Sequence, residues 1–155
     1  MKVAKARQAS RWPDAIIAWV SDCTFCKIVA GVLPSYRVLE DEHTLAFLNI
    51  RPAAPGHTLV VPRVHVRDVW EISKVSHGEV ADMVHRVAAL LKATLAPEGV
   101  NVKHNTGQAA GQDVFHYHVH VVPRWREDGL RLTWSSSLAP SCDLEKVLEC
   151  VTGGG

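Results

Sequence analysis

The sequence predicts an α+β domain, a mainly antiparallel sheet of about five strands with one long helix and shorter helices packed on it. Three observations carry that expectation. Short apolar runs recur between turn residues through the first two thirds of the chain. One stretch of eighteen residues, 78–95, repeats its apolar positions at spacings of three and four. Within residues 115–124, FHYHVHVVPR, histidines alternate strictly with aromatic or valine side chains from 115 to 121.

Taken in order, residues 1 to 21 form a basic tail carrying Lys2, Lys5, Arg7 and Arg11, with room for a helical turn after Pro13. Residues 23–30 read as a short helix ended by Gly31 and Pro34. Residues 36–40 and 44–49 read as two strands joined by a hairpin at Asp41 and Glu42. After the loop 52–56, PAAPG, residues 57–62 form a strand apolar enough to be central. Residues 66–72 fit a short helical segment. In the long helix, Val80, Met83, Val84, Val87, Leu91, Thr94 and Leu95 make the core-facing stripe, and Pro97 and Gly99 stop it. His77 and His85 fall on the surface of this region. Residues 100–105 give a fourth strand, and 115–124 the fifth. Beyond it, 124–137 is polar and irregular, 143–151 fits a short helix, and 152–155 is an unstructured tail. The domain is thus expected over residues 22–151.

At 155 residues the chain is long enough for a core of its own. It is 47% hydrophobic and 21% charged, with a formal net charge of +1. That balance gives no long-range field to draw nucleic acid or an acidic membrane, and neither partner is expected. Nothing approaches a membrane-spanning run of about 18 apolar residues. The basic start lacks a signal-peptide core, so a cytoplasmic location is expected. Cys23 and Cys26 form a C-x₂-C pair, which in a reducing compartment signals metal or redox chemistry. Cys142 and Cys150 read as free thiols.

The decapeptide 115–124 is the centre of interest. In a strand, His116, His118 and His120 share one face at roughly 7 Å intervals, while Phe115, Tyr117, Val119 and Val121 take the other and read as core. A helix would scatter the imidazoles over about 200°. A solvated polar face is the ordinary use of such a pattern. A metal site, or a nucleophile with helpers, is the chemical one. The preceding turn, 105–114 (NTGQAAGQDV), is rich in glycine and amides and suited to aiming backbone N–H groups at an anion.

At these residues the chain resembles the histidine triad family of nucleotide hydrolases and transferases. The resemblance spans about 23–124 and rests on CTFCKIVAG, LAFLNIRPAAPGHTLVVPRVH and NTGQAAGQDVFHYHVHVVPR, and is nearest to the zinc-containing bacterial branch. It implies a structural Zn²⁺ held by Cys23, Cys26, His65 and His116, a closed set with no open position. It implies that His118 attacks the α-phosphorus of a nucleotide, giving a nucleotidyl-imidazole that water then hydrolyses. His120 would contact the phosphoryl oxygens and assist the leaving group, and His57 would support the triad. Asn105, Gly111, Gln112, Asp113 and Val114 would hold phosphate oxygens, the Gly111 to Val114 stretch through its backbone N–H groups. Phe25, Ile28, Phe47 and Ile50 would form an apolar slot for the base, unless they are plain core. A homodimer is implied as well.

Two positions depart from many relatives. Asn49 stands where a ribose-binding Asp is common, and Asp113 where some relatives have Ser or Thr and others an acidic residue. The expected activity is hydrolysis of nucleoside phosphoramidates, nucleotidyl adducts or dinucleoside polyphosphates. The alternatives are a nucleotidyl transferase or phosphorylase, a nucleotide-binding interaction protein with little turnover, and a zinc hydrolase using all three strand histidines as ligands.

Overall fold

The computed structural model describes residues 22–131. The expectations for the basic tail, the helix at 143–151, the C-terminal tail, Cys142 and Cys150 lie outside the described residues. The elements run α1 (Thr24–Val29), β1 (Arg37–Glu40), β2 (Thr44–Leu48), β3 (Thr58–Pro62), α2 (Lys74–Leu95), β4 (Gly99–Lys103), a single 3₁₀ turn (Gln108–Ala110) and β5 (Val119–Arg124). The five strands form one antiparallel sheet in the order β1-β2-β3-β5-β4. The predicted α+β architecture, with one long helix, is what the chain adopts.

The hairpin between β1 and β2 is closed by Asp41. Its carboxylate accepts from the N–H groups of His43 and Thr44 and from the Thr44 hydroxyl. This is the local bonding that makes Asp a turn residue. The other carboxylate oxygen meets Arg86 of α2 at 2.8 Å, tying hairpin to helix. The apolar β3 is buried at all five positions and lies at the centre of the sheet, as its composition predicts.

Alternation along the strands divides the core between the two faces of the sheet. Ala46, Val60, Tyr117, Val119 and Val121 pack with Val80, Met83, Val87 and Leu91 of α2. On the opposite face Leu45, Phe47, Leu59 and Val61 pack with Phe25 and Ile28 of α1. The histidines are on this second side: His116 and His118 lie edge-on to the Phe25 ring.

Several boundaries differ from expectation for local reasons. The long helix begins at Lys74, four residues early, because the Ser73 hydroxyl caps it by accepting from the Ser76 N–H. Gly78 is an interior helical residue and not a start. Residues 66–72 form no helix. Asp68 accepts from the N–H groups of Trp70 and Glu71 and closes one turn only. The fifth strand pairs only from Val119 onward, so His116 and His118 precede the ladder. Before it the chain bends, and Phe115 leaves the core. Its ring is 39% exposed and covered by the Arg67 guanidinium.

Candidate active site and metal centre

Two adjacent constellations are built on the α1 side of the sheet. In the first, Cys23 and Cys26 flank the start of α1, His65 follows β3, and His116 lies ahead of β5. One ligand atom from each falls within 4.8 Å of all the others. Cys26 Sγ is 3.1 Å from His65 Nδ1 and 3.5 Å from His116 Nδ1, and Cys23 Sγ is 3.6 Å from His116 Nδ1. A tetrahedral Zn²⁺ with bonds of about 2.0–2.3 Å needs ligand atoms about 3.3–3.8 Å apart, so the donor set fits that ion. The His116 Nε2–H donates to the Pro62 carbonyl at 2.9 Å. That bond leaves the Nδ1 lone pair facing the two sulfurs, as a metal ligand requires. Burial pushes the His116 imidazole down to about 4, so it is neutral and ready to ligate.

The second constellation is the remainder of the triad. His118 is buried, and its Nδ1–H donates to the His116 carbonyl at 2.7 Å. The Nε2 atom therefore carries the lone pair. Burial holds this imidazole below its ordinary value, against the pull of the His116 carbonyl. The state of His120 follows from a chain of bonds that begins in the 52–56 loop. The Ala53 N–H donates to His57 Nδ1 at 3.0 Å, which puts the His57 proton on Nε2. That N–H donates in turn to His120 Nδ1 at 2.9 Å, leaving His120 with its proton on Nε2. Burial, with the neighbouring His118, His57 and Lys103, pushes His120 down to about 4. The site thus pairs one imidazole offering a lone pair with another offering an N–H, their ring centroids 5.0 Å apart.

The turn before the triad is shaped by its glycines and by Gln112. Gly107 and Gly111 have φ near +81° and +85°, where side chains other than Gly are strained. Gln112 is buried and fully used by the loop: its Oε1 accepts from the Gly107 N–H, and its amide donates to the carbonyls of Arg67 and Val114. The expectation that its side chain binds phosphate gives way to a structural role. The backbone N–H groups of Gly111 and Gln112 are also taken, by the Gln108 and Gly107 carbonyls. Among the described residues, the N–H groups of Asp113 and Val114 have no acceptor within the loop. Asn105 donates to the Gly111 carbonyl at 3.3 Å, and Asn105, Gly111 and Asp113 line a cleft of about 320 Å³ with His57 and His120.

Of the residues expected to hold a base, Phe25, Ile28 and Phe47 come together in one buried cluster beside His118. Ile50 stands apart, 81% exposed. Asn49 is half-buried at the end of β2. Its Oδ1 accepts from the Arg51 N–H, and its amide nitrogen faces His57 Nε2 at 3.5 Å. Because that ring nitrogen is itself a donor, the contact is a close approach and not a bond.

His104 belongs to the site and was not among the sequence candidates. Its Nδ1–H donates to the His118 carbonyl at 2.7 Å, its Nε2 accepts from the Thr106 hydroxyl, and its ring stacks on Tyr117. It braces the backbone of His118 at the point where the β-ladder has not yet begun. No sequence pattern marks it, because its partner is a main-chain atom fourteen residues away.

Comparison with known proteins agrees with this picture. The family model described as the HIT domain matches residues 30–127. Protein hit of Bacillus subtilis is 42% identical over 116 residues, covering 74% of this chain and 80% of that one. Adenosine 5'-monophosphoramidase hnt1 of Schizosaccharomyces pombe is 38% identical over 115 residues, covering 74% of this chain and 84% of the relative. The crystal structure of a Zn-bound histidine triad family protein from Mycobacterium smegmatis superimposes with a TM-score of 0.69 at 40% identity, covering 74% of this chain and 84% of that one. With its three alternating histidines, the glycine turn ahead of them and the matched span, the chain belongs to the HIT domain family.

Proposed function

We propose that the protein hydrolyses nucleoside phosphates at the α-phosphorus, with phosphoramidates, nucleotidyl adducts or dinucleoside polyphosphates as substrates. The observation that carries this reading is the complementary state of the two imidazoles, a lone pair on His118 Nε2 beside an N–H on His120 Nε2. His118 Nε2 attacks phosphorus, the bond to the leaving group breaks, and the leaving group takes the bonding pair while accepting a hydrogen bond from His120. Water then attacks the nucleotidyl-imidazole, returning the electron pair to His118 Nε2 and releasing the nucleoside monophosphate and one proton, which balances the proton that an amine leaving group takes up on departure. Two in-line displacements replace one harder step.

The Asp113 and Val114 N–H groups would bind the non-bridging oxygens, and the Phe25, Ile28 and Phe47 cluster would take the base. Cys23, Cys26, His65 and His116 would hold Zn²⁺, whose part is to fix the geometry of the chain entering His118. The relative named as an adenosine monophosphoramidase supports the phosphoramidate class. The Zn-bound relative supports the metal.

The test is His118→Ala beside wild type on a panel of adenylate substrates. The variant is expected to fold, retain about one zinc per chain and bind nucleoside monophosphate, while turnover falls at least about a thousandfold, roughly 4 kcal/mol of barrier. His120→Ala is expected to lose less. Near wild-type turnover by His118→Ala would overturn the assignment. Loss of zinc in both variants would point instead to a metal held by the triad.

A further inference from the structure

We propose that Lys103 is a specificity-determining residue of this site, favouring substrates whose leaving group carries phosphate. The inference rests on the nucleotide-hydrolase reading above and names the leaving-group class that reading leaves open.

The register of β4 against β5 places Lys103 directly opposite His120 and Asn101 opposite Val122. Opposed residues in an antiparallel pair share a face, so the Lys103 side chain emerges beside the His120 imidazole, on the reacting side of the sheet. Both line the 320 Å³ cleft, together with His57, Asp113, Arg124 and Arg131.

The charges in that cleft are unequally committed. Arg124 is held by Asp128 through two bonds, at 2.6 and 2.9 Å, and further donates to the Asn101 side chain and the Leu130 carbonyl. Its charge is neutralised where it stands. Among the described residues, the side chains of Lys103 and Arg131 make neither an ion pair nor a hydrogen bond. Among the described residues, Asp113 is the one carboxylate lining the cleft. The side of the cleft beyond His120 is therefore net positive.

The order of groups along the chain gives this charge a direction. The substrate's phosphorus belongs between the 111–114 turn and His118 Nε2. The leaving group faces the His120 N–H, and its next atoms pass over Lys103. A leaving group that ends in ammonia or a neutral amine has nothing there to meet an ammonium. A phosphate or polyphosphate places oxygens of negative charge against it, and needs no proton to depart.

The experiment compares two substrates sharing an adenylate, diadenosine tetraphosphate and adenosine 5′-phosphoramidate, by the ratio of their kcat/KM values. Wild type, Lys103→Met, Lys103→Glu and Lys103→Arg are measured side by side. The Lys103 side chain is exposed in the single chain, and thermal melting checks that each variant folds. The ratio is expected to fall about fivefold to tenfold in Lys103→Met, further in Lys103→Glu, and to recover in Lys103→Arg. An unchanged ratio overturns the assignment, whether the two activities drop in parallel, as contact with the shared α-phosphate would give, or neither moves. Failure of wild type to hydrolyse either substrate overturns the parent reading and this one with it.

Discussion

At the scale of single residues, the site is a set of decisions about where protons sit. Each is made by a main-chain atom: the Pro62 carbonyl for His116, the His116 carbonyl for His118, and the Ala53 N–H, through His57, for His120. Asn49 is where chemistry and family habit diverge. Its oxygen is engaged by the Arg51 N–H, so the group it turns toward the site is a donor. A carboxylate at this position would keep the Arg51 bond on one oxygen and leave the other free to accept from a ribose hydroxyl. Asn49→Asp is therefore expected to tighten nucleoside monophosphate binding by about tenfold, or roughly 1.4 kcal/mol, as read by calorimetry. Unchanged or weaker binding would show that this position does not face the ribose. The shared face of His116, His118 and His120 is legible in the sequence as alternation, whereas the residues around them are expected only from the family resemblance. The roles of Gln112 and His104 are not legible there, since both are set by bonds to backbone atoms that only the folded chain brings near.

At the scale of elements, the four-residue Cys/His cluster joins pieces with little other reason to stay together. Helix α1 has six residues and no side-chain cap, too short to hold itself in water. His65 lies in an irregular segment, and His116 in the bend before β5 pairs. A bound ion would fasten all three, and its binding energy is folding energy. Cys26→Ser is accordingly expected to lower both zinc content and the melting temperature, with the loss of stability exceeding about 2 kcal/mol. Metal analysis and thermal unfolding with and without added zinc check this. Metal-free wild-type protein of full stability would contradict it. The same segments explain why element boundaries were hard to read. The sequence pattern extends the fifth strand back to residue 115 because facing continues to alternate: Tyr117 is in the α2 core and His116 and His118 lie against Phe25. The ladder nonetheless starts only at Val119. Alternation reports which way side chains point, whereas hydrogen bonding depends on a neighbouring strand being there.

At the scale of the whole molecule, the two faces of the sheet are used differently, and the α2 side is left partly uncovered at the β4 edge. β4 closes one side of the sheet, with Val100 and Val102 41% and 54% exposed. Beside it a groove is lined by His77, Val80, Ala81, Val84, Val102, His104, Tyr117 and Val119, between α2 and the strand. An exposed strand edge carrying two valines invites pairing with another chain, and α2, about 33 Å long, supplies a parallel surface along the same side. The homodimer that the family resemblance implies would bring two copies together here about a twofold axis, β4 against β4 and α2 against α2, making one continuous sheet. Such an isologous contact buries each valine against its counterpart's neighbours. Sedimentation equilibrium is expected to give a dimer at micromolar concentration. Val102→Glu, which places like charges close together across the axis, is expected to raise the dimer dissociation constant at least about a hundredfold, roughly 2.7 kcal/mol, while leaving a folded chain. A monomeric wild type, or a Val102→Glu variant that remains dimeric, would place the interface elsewhere or remove it.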